Sequence, residues 1–134
     1  SLAIAGGEAG SFTAAVEKWD GTNWTEVNDL NTARGYNPGS SGTTTAGLCF
    51  GGRVDPNPAV TAKTEYYNGT SWTEVNDLNT ARRLPFGVGT ATAALCFGGH
   101  PPFKNETEMG FYRPHIIYLG HVCLNVLCHI FFSR

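Results

Sequence analysis

The chain has 134 residues, 41% of them hydrophobic and 15% charged, with a formal net charge of −2. That is enough for one compact domain and too little for two comfortable ones, and the balance is that of a globular rather than a disordered chain. With no basic run, nucleic acid is excluded as an expected partner.

Seventeen glycines and seven prolines point to many tight turns and short strands. The first residues, Ser1-Leu2-Ala3-Ile4-Ala5-Gly6-Gly7, have no basic leader and no apolar run of signal-peptide length. They read as the interior of a repeat. Residues 1–6 form a first apolar strand closed by Gly6-Gly7, and a variable loop follows at 8–12. Thr13 to Trp19 reads as a second strand. Asp20-Gly21 predicts a hairpin, because Asp or Asn before Gly suits a turn whose central residues need positive φ. Trp24 to Val27 is the returning arm, ended by the turn formers Asn28-Asp29-Leu30-Asn31. Arg34 then leads into a strand over 35–41, Gly42-Thr43 makes a turn, and Ala46 to Phe50 is an apolar strand running into Gly51-Gly52. After a second variable stretch at 53–59 the series restarts, with Asn68-Gly69 as turn and Trp72 to Val75 as strand. Further strands are expected over 83–89 and 93–97, with a turn at Gly89-Thr90.

The series restarts because the sequence repeats. Trp24 to Arg34 returns unchanged as Trp72 to Arg82, and Leu48-Cys49-Phe50-Gly51-Gly52 is echoed by Leu95-Cys96-Phe97-Gly98-Gly99. The period holds four short strands and no helical pattern, which is the signature of a propeller blade rather than a solenoid coil. Alternation places Trp72 and Glu74 on one face and Thr73 and Val75 on the other. An apolar residue on each face suits small sheets stacked and covered on both sides.

Gly-Gly after an apolar strand, an aromatic such as Trp19 or Tyr67, a Trp five residues later and an Arg ten residues on together resemble the kelch repeat. The likeness spans residues 1–109 and is to the divergent kind found in phage and environmental sequences. It implies an all-β fold, a kelch-like β-propeller fragment of four-stranded antiparallel blades in an incomplete ring. Residues 1–34 would be a partial blade, 35–82 a full one and 83–109 another partial one. Kelch propellers mostly serve as binding scaffolds. Some relatives carry a copper site, but the repeats here contain no matching Tyr/His/Cys set, so no cofactor is expected. Since two and a half blades cannot close a ring, self-association is expected, for instance two copies sharing one ring.

The pattern stops after Glu108-Met109, and residues 110–134 form a divergent apolar tail. Four readings compete for it: a membrane helix, a metal site, strands at Ile116–Leu119 and Val122–Leu127, or a remnant of a shifted reading frame. The apolar run from 116 to 132 is short for a membrane span and is interrupted by Gly120, His121, Asn125 and His129. His121, Cys123, Cys128 and His129 are four donors close in sequence, but their spacing fits none of the usual zinc patterns.

Trp24, Trp72, Tyr66 and Tyr67 are candidate sugar-stacking residues, set against packing between blades, which their repetition favours. Arg34, Arg82 and Arg83 are candidates for an acidic ligand, set against pairing with a nearby carboxylate or carbonyl. Arg53 opens the variable stretch 53–59 and is a further binding candidate. Cys49 and Cys96 occupy equivalent places in apolar runs and read as small buried hydrophobes rather than disulfide or metal ligands. The expected function is non-enzymatic recognition of carbohydrate or protein through blade loops. The alternatives are a structural repeat of a larger fibre or surface assembly, and an enzyme built on the tail's His/Cys cluster.

Overall fold

The structure is a computed structural model that describes residues 1–7, 11–36, 38–54, 59–100, 106–110 and 122–123, the last two segments as backbone. Every regular element among the described residues is a β-strand. In chain order these are β1 (Leu2–Gly6), β2 (Thr13–Trp19), β3 (Trp24–Val27), β4 (Gly39–Gly42), β5 (Gly47–Phe50) and β6 (Thr64–Tyr67), then β7 (Trp72–Val75), β8 (Phe86–Thr90), β9 (Ala93–Phe97), β10 (Glu106–Gly110) and β11 (Val122–Cys123). They form three antiparallel sheets with strand orders β1-β2-β3, β4-β5-β6-β7 and β8-β9-β10-β11. The fold is all-β and multi-sheet, and none of the three sheets closes into a barrel.

Local chemistry sets the hairpins, with one departure from expectation. In the β2–β3 turn Gly21 alone of the Asp20-Gly21 pair carries a positive φ, 112°. Asp20 contributes its carboxylate instead: Oδ1 accepts the N–H groups of Thr22 and Asn23 at 2.7 and 2.8 Å. Those bonds hold the Asp20 carboxyl below its ordinary pKa, the Asn23 N–H first and Thr22 next. Asn68 does the same for Thr70 and Ser71 at 2.9 and 2.8 Å. A short polar side chain bonding the backbone two and three residues on closes the turn without a left-handed Asp or Asn.

The strands expected at 35–41 and 83–89 begin later, at Gly39 and Phe86. Tyr36 and Leu84 sit in the left-handed region at φ 53° and 56°, which breaks the extended run. In the third sheet the turn falls at Ala91-Thr92, two residues beyond Gly89-Thr90, with Thr90 Oγ1 accepting from Ala93 N at 3.1 Å. Within the tail, the described Val122–Cys123 pairs with β10 as a fourth strand.

Two apolar cores lie between the sheets. Val16 and Leu30 of the first repeat pack with Cys49, Tyr67 and Trp72, while Leu48 and Phe50 pack with Ala91, Ala94 and Cys96. Strand β5 is buried at all four positions, so alternate residues serve opposite neighbours. The second sheet is thus sandwiched between the other two.

The glycine pairs mark where each crossing passes the strand end. Gly51 and Gly52 have φ of 69° and 98°, and Gly98 and Gly99 have 70° and 100°. A Cβ on Gly51 would come within 2.6 Å of the Arg82 carbonyl oxygen, so only glycine meets both demands. In the first repeat the register moves by one from the Gly6-Gly7 pairing suggested by sequence. Ala5 takes φ 54°, and Gly6 N donates to Arg34 O at 3.1 Å as Gly52 N does to Arg82 O at 2.8 Å. Ala5-Gly6 therefore stands where Gly51-Gly52 stands.

Joining the first two sheets is a buried ion pair, Arg34 Nη2 to Glu65 Oε1 at 2.6 Å, with neither side chain exposed. Arg34 also donates to the carbonyls of Thr32, Gly51 and Lys63. Glu65 in turn accepts from Asn31 N, Asn31 Nδ2 and Thr32 N at 2.7, 2.9 and 3.2 Å. Arg82 repeats part of this, donating to Thr80 O and Gly98 O at 3.3 and 2.9 Å. The Arg34→Ala variant leaves the Glu65 charge buried and uncompensated, and should lose about 3–5 kcal/mol of stability in urea unfolding. Replacing both partners with apolar residues of similar volume should recover only part of that loss, because the Asn31 and Thr32 N–H groups and the Gly51 and Lys63 carbonyls then lose their partners.

Candidate functional site

The repeated block is largely spent on packing. Tyr67 and Trp72 are 2% and 6% exposed, with ring centroids 4.9 Å apart, and Trp72 Nε1 donates to Asn28 O at 2.9 Å. Neither ring offers a face to a sugar. Tyr66 is half-buried against the core shared with the third sheet. Of the four aromatic candidates Trp24 is the open one, 50% exposed and 5.4 Å from Trp19. Arg34 and Arg82 are fully buried in the contacts described above. Lys63 and Glu74 form a half-exposed surface pair at 2.7 Å, and the hydrogen bond that Lys63 donates to Glu74 raises the Lys63 pKa. Between the first two sheets runs a shallow groove of about 490 Å³, lined by Glu26, Asp29, Asn31 and Trp72 among others.

Arg53 stands apart from this packing. Its backbone exchanges two 2.9 Å hydrogen bonds with Gly35 and bridges to Val60, which ties the variable stretch to the crossing that follows Arg34. Arg83 makes the equivalent exchange with His100, at 2.7 and 2.8 Å. These two bridges bring Tyr36, Arg53, Arg83 and His100 together at one end of the sheets. The Arg53 guanidinium carbon lies 4.6 Å from the centroid of the Tyr36 ring and that of Arg83 lies 5.5 Å from it. Phe12 meets the same ring edge-on at 6.0 Å and 82°. Arg83 Nη2 lies 3.0 Å from His100 Nδ1. A guanidinium only donates, so Nδ1 accepts and the imidazole carries its proton on Nε2.

Two cations lie against one aromatic ring, and no described carboxylate pairs with either. The Nε atoms of Arg53 and Arg83 are shielded from solvent and donate to no described group. A ring quadrupole offsets part of the charge repulsion. Guanidinium groups so placed are suited to a carboxylate, sulfate or phosphate oxygen, which guanidinium holds by charge-assisted bonds. Asp55 and the rest of 55–58 lie outside the described residues, as do 8–10 of the first variable loop.

Sequence reasoning picked out Arg53 and Arg83 separately but missed Tyr36, which unites them. The signal was present in the repeat itself: Tyr36 occupies the place of Leu84, just beyond the identical block. Of the tail candidates, Cys123 lies in β11, whose backbone alone is described, and His121, Cys128 and His129 lie outside the described residues. Among the described residues there is no cluster of three or more metal-binding side chains, and no helix long and apolar enough to cross a membrane. No protein-family model matches the chain, and no curated protein matches it either.

Cys49 and Cys96 are free thiols, both buried. Burial raises the Cys49 pKa from 9.0 to about 12, with Arg34 opposing and Glu65 reinforcing the shift. Since the folded thiol holds its proton where an unfolded one loses it, Cys49 stabilises the fold up to about pH 9, and that contribution falls as pH rises toward 12. At pH 8 iodoacetamide should leave Cys49 unmodified in the native protein and label it in urea, as read by mass spectrometry.

Proposed function

We propose that the three sheets are successive blades of an incomplete kelch-like β-propeller, and that the chain is a non-enzymatic binding module. Its ligand is an anionic group on a carbohydrate or a protein, held at the end of the blades where Tyr36, Arg53, Arg83 and His100 meet. The observation that carries this reading is the pair of guanidinium groups on one tyrosine ring with donor atoms unspent. Supporting it is the contrast with Arg34 and Arg82, which are fully buried within the blades. Self-association belongs to the same reading: Phe86, Val88 and Leu95 leave an apolar surface on the outer face of the third sheet, 69%, 50% and 38% exposed.

One observation favours a second reading, a structural repeat of a larger fibre or surface assembly with no ligand of its own. The identical block is consumed in sheet-to-sheet contacts, and such contacts alone would suffice for an assembly role.

An array of sulfated, uronate-bearing and neutral glycans together with acidic peptides separates the two. Binding should be confined to anionic members and weaken with added salt. Arg53→Ala should reduce it by at least about tenfold, because guanidinium–anion bonds hold the ligand, while leaving the unfolding midpoint nearly unchanged. Equal binding of neutral and acidic members would overturn the anionic reading. Failure to bind any member would favour the structural one.

A further inference from the structure

The same eleven residues occur twice, but the faces on which they stand are covered unequally. In the second sheet Glu65, Tyr67 and Trp72 share the face turned toward the first sheet, and all three are buried. Their counterparts in the first sheet are Glu17, Trp19 and Trp24. The register proves the equivalence: Glu17 pairs with Glu26 and Trp19 with Trp24, as Glu65 pairs with Glu74 and Tyr67 with Trp72. Yet Trp24 is 50% exposed where Trp72 is 6%, and Glu17 is exposed where Glu65 is fully buried. The indole pair of Trp19 and Trp24 is already assembled, in the tilted geometry of Tyr67 and Trp72.

What covers the second face is visible atom by atom. Asn28 offers its carbonyl to the Trp72 indole N–H, and Leu30 is buried in the core beside Trp72. The Glu65 carboxylate then collects Asn31, Thr32 and the Arg34 guanidinium. A carboxylate only accepts and an indole N–H only donates, so a segment must bring donors to one and a carbonyl to the other in this spacing.

We propose that the outer face of the first sheet, built from Glu17, Trp19 and Trp24, is a docking site for an extended segment of the chemistry Asn-x-Leu-Asn-Thr-x-Arg. That segment comes from another polypeptide that carries such a block with its arginine free. A second copy of this chain does not supply it, since Arg34 and Arg82 are both fully buried within their own chain. The exposed Glu17 charge favours the arginine-bearing segment over a plain apolar face, which would leave the carboxylate unpaired.

The test uses the full chain labelled with nitrogen-15 and a synthetic peptide with the sequence of residues 72–82. Its three tryptophans give three indole N–H signals to follow. The Trp24 signal should shift saturably as peptide is added to millimolar levels, and the Trp72 signal should stay in place. Glu17→Gln, or alanine in place of the peptide's arginine, should weaken the binding by at least about tenfold, since either change breaks a charged hydrogen-bonded pair. Glu17 is exposed, so its variant tests docking without threatening the fold. The proposal fails if no saturable shift occurs, or if the shift is indifferent to Glu17→Gln. It fails equally if Trp24 is already protected in the chain alone through association of copies at this face.

Discussion

The ion pair between Arg34 and Glu65 decides how the first two sheets sit on each other. Neither side chain is exposed, and taking both charges out of water costs several kcal/mol per ion unless the geometry returns it. Here the return comes from saturation. Arg34 donates to three carbonyls and the carboxylate, and Glu65 accepts from the backbone and side chain of Asn31 and from Thr32. The apolar contacts of Val16, Leu30 and Trp72 supply area, but they are non-directional and would tolerate a slide of one sheet over the other. The arginine would not: displacement by one residue would aim it at an N–H or a side chain instead of Gly51 O and Lys63 O. Much else follows from this. The crossing at 28–34 must run where its amides face Glu65, and the strand end at Gly51 must shed its Cβ where the next crossing passes.

This explains a puzzle in the sequence. Packing alone would constrain only alternate apolar positions of the repeated block, yet Asn, Thr and Arg are repeated as faithfully as Trp and Leu. Asn31 uses its side chain twice, on Glu65 and on Trp72 O, and Arg34 uses all of its nitrogens. The identities of Asn31 and Arg34 are therefore under structural constraint, whereas Thr32 contributes only its backbone. Asp29 and Asp77 are both exposed.

Most of the architecture was legible because it rests on period and turn chemistry. The strands at Thr13–Trp19, Trp24–Val27 and Trp72–Val75 fall where alternation and Asx-Gly turns place them. The misplaced edges share one cause. Strand starts at 39 and 86 lie beyond the left-handed Tyr36 and Leu84, conformations that neither residue type advertises. The displaced glycine pair arises the same way, with Ala5 in a conformation that glycine holds in the other two repeats. The Arg53–Tyr36–Arg83 cluster was legible only in pieces, because its members lie 17 and 47 residues from Tyr36 along the chain and meet only through the backbone bridges at Gly35 and His100. Repetition drew attention to the block, whereas the unspent donors lie where the repeats differ.

Trp24 and Trp72 show what sets burial in such a chain. The two residues sit in identical eleven-residue contexts, on strands of the same length, paired to an aromatic across the same register. One is buried and hydrogen-bonded, and the other is half in solvent. No property of the local sequence separates them, so burial here belongs to the neighbour and not to the residue. In an array of stacked sheets every face is written as an interface, and the faces at the two ends differ only in what has arrived to cover them. The first sheet presents a carboxylate and an indole N–H, the third presents Phe86, Val88 and Leu95. Ends so unlike each other do not ask for the same partner: the polar one selects by hydrogen-bond pattern, and the apolar one selects by little more than area.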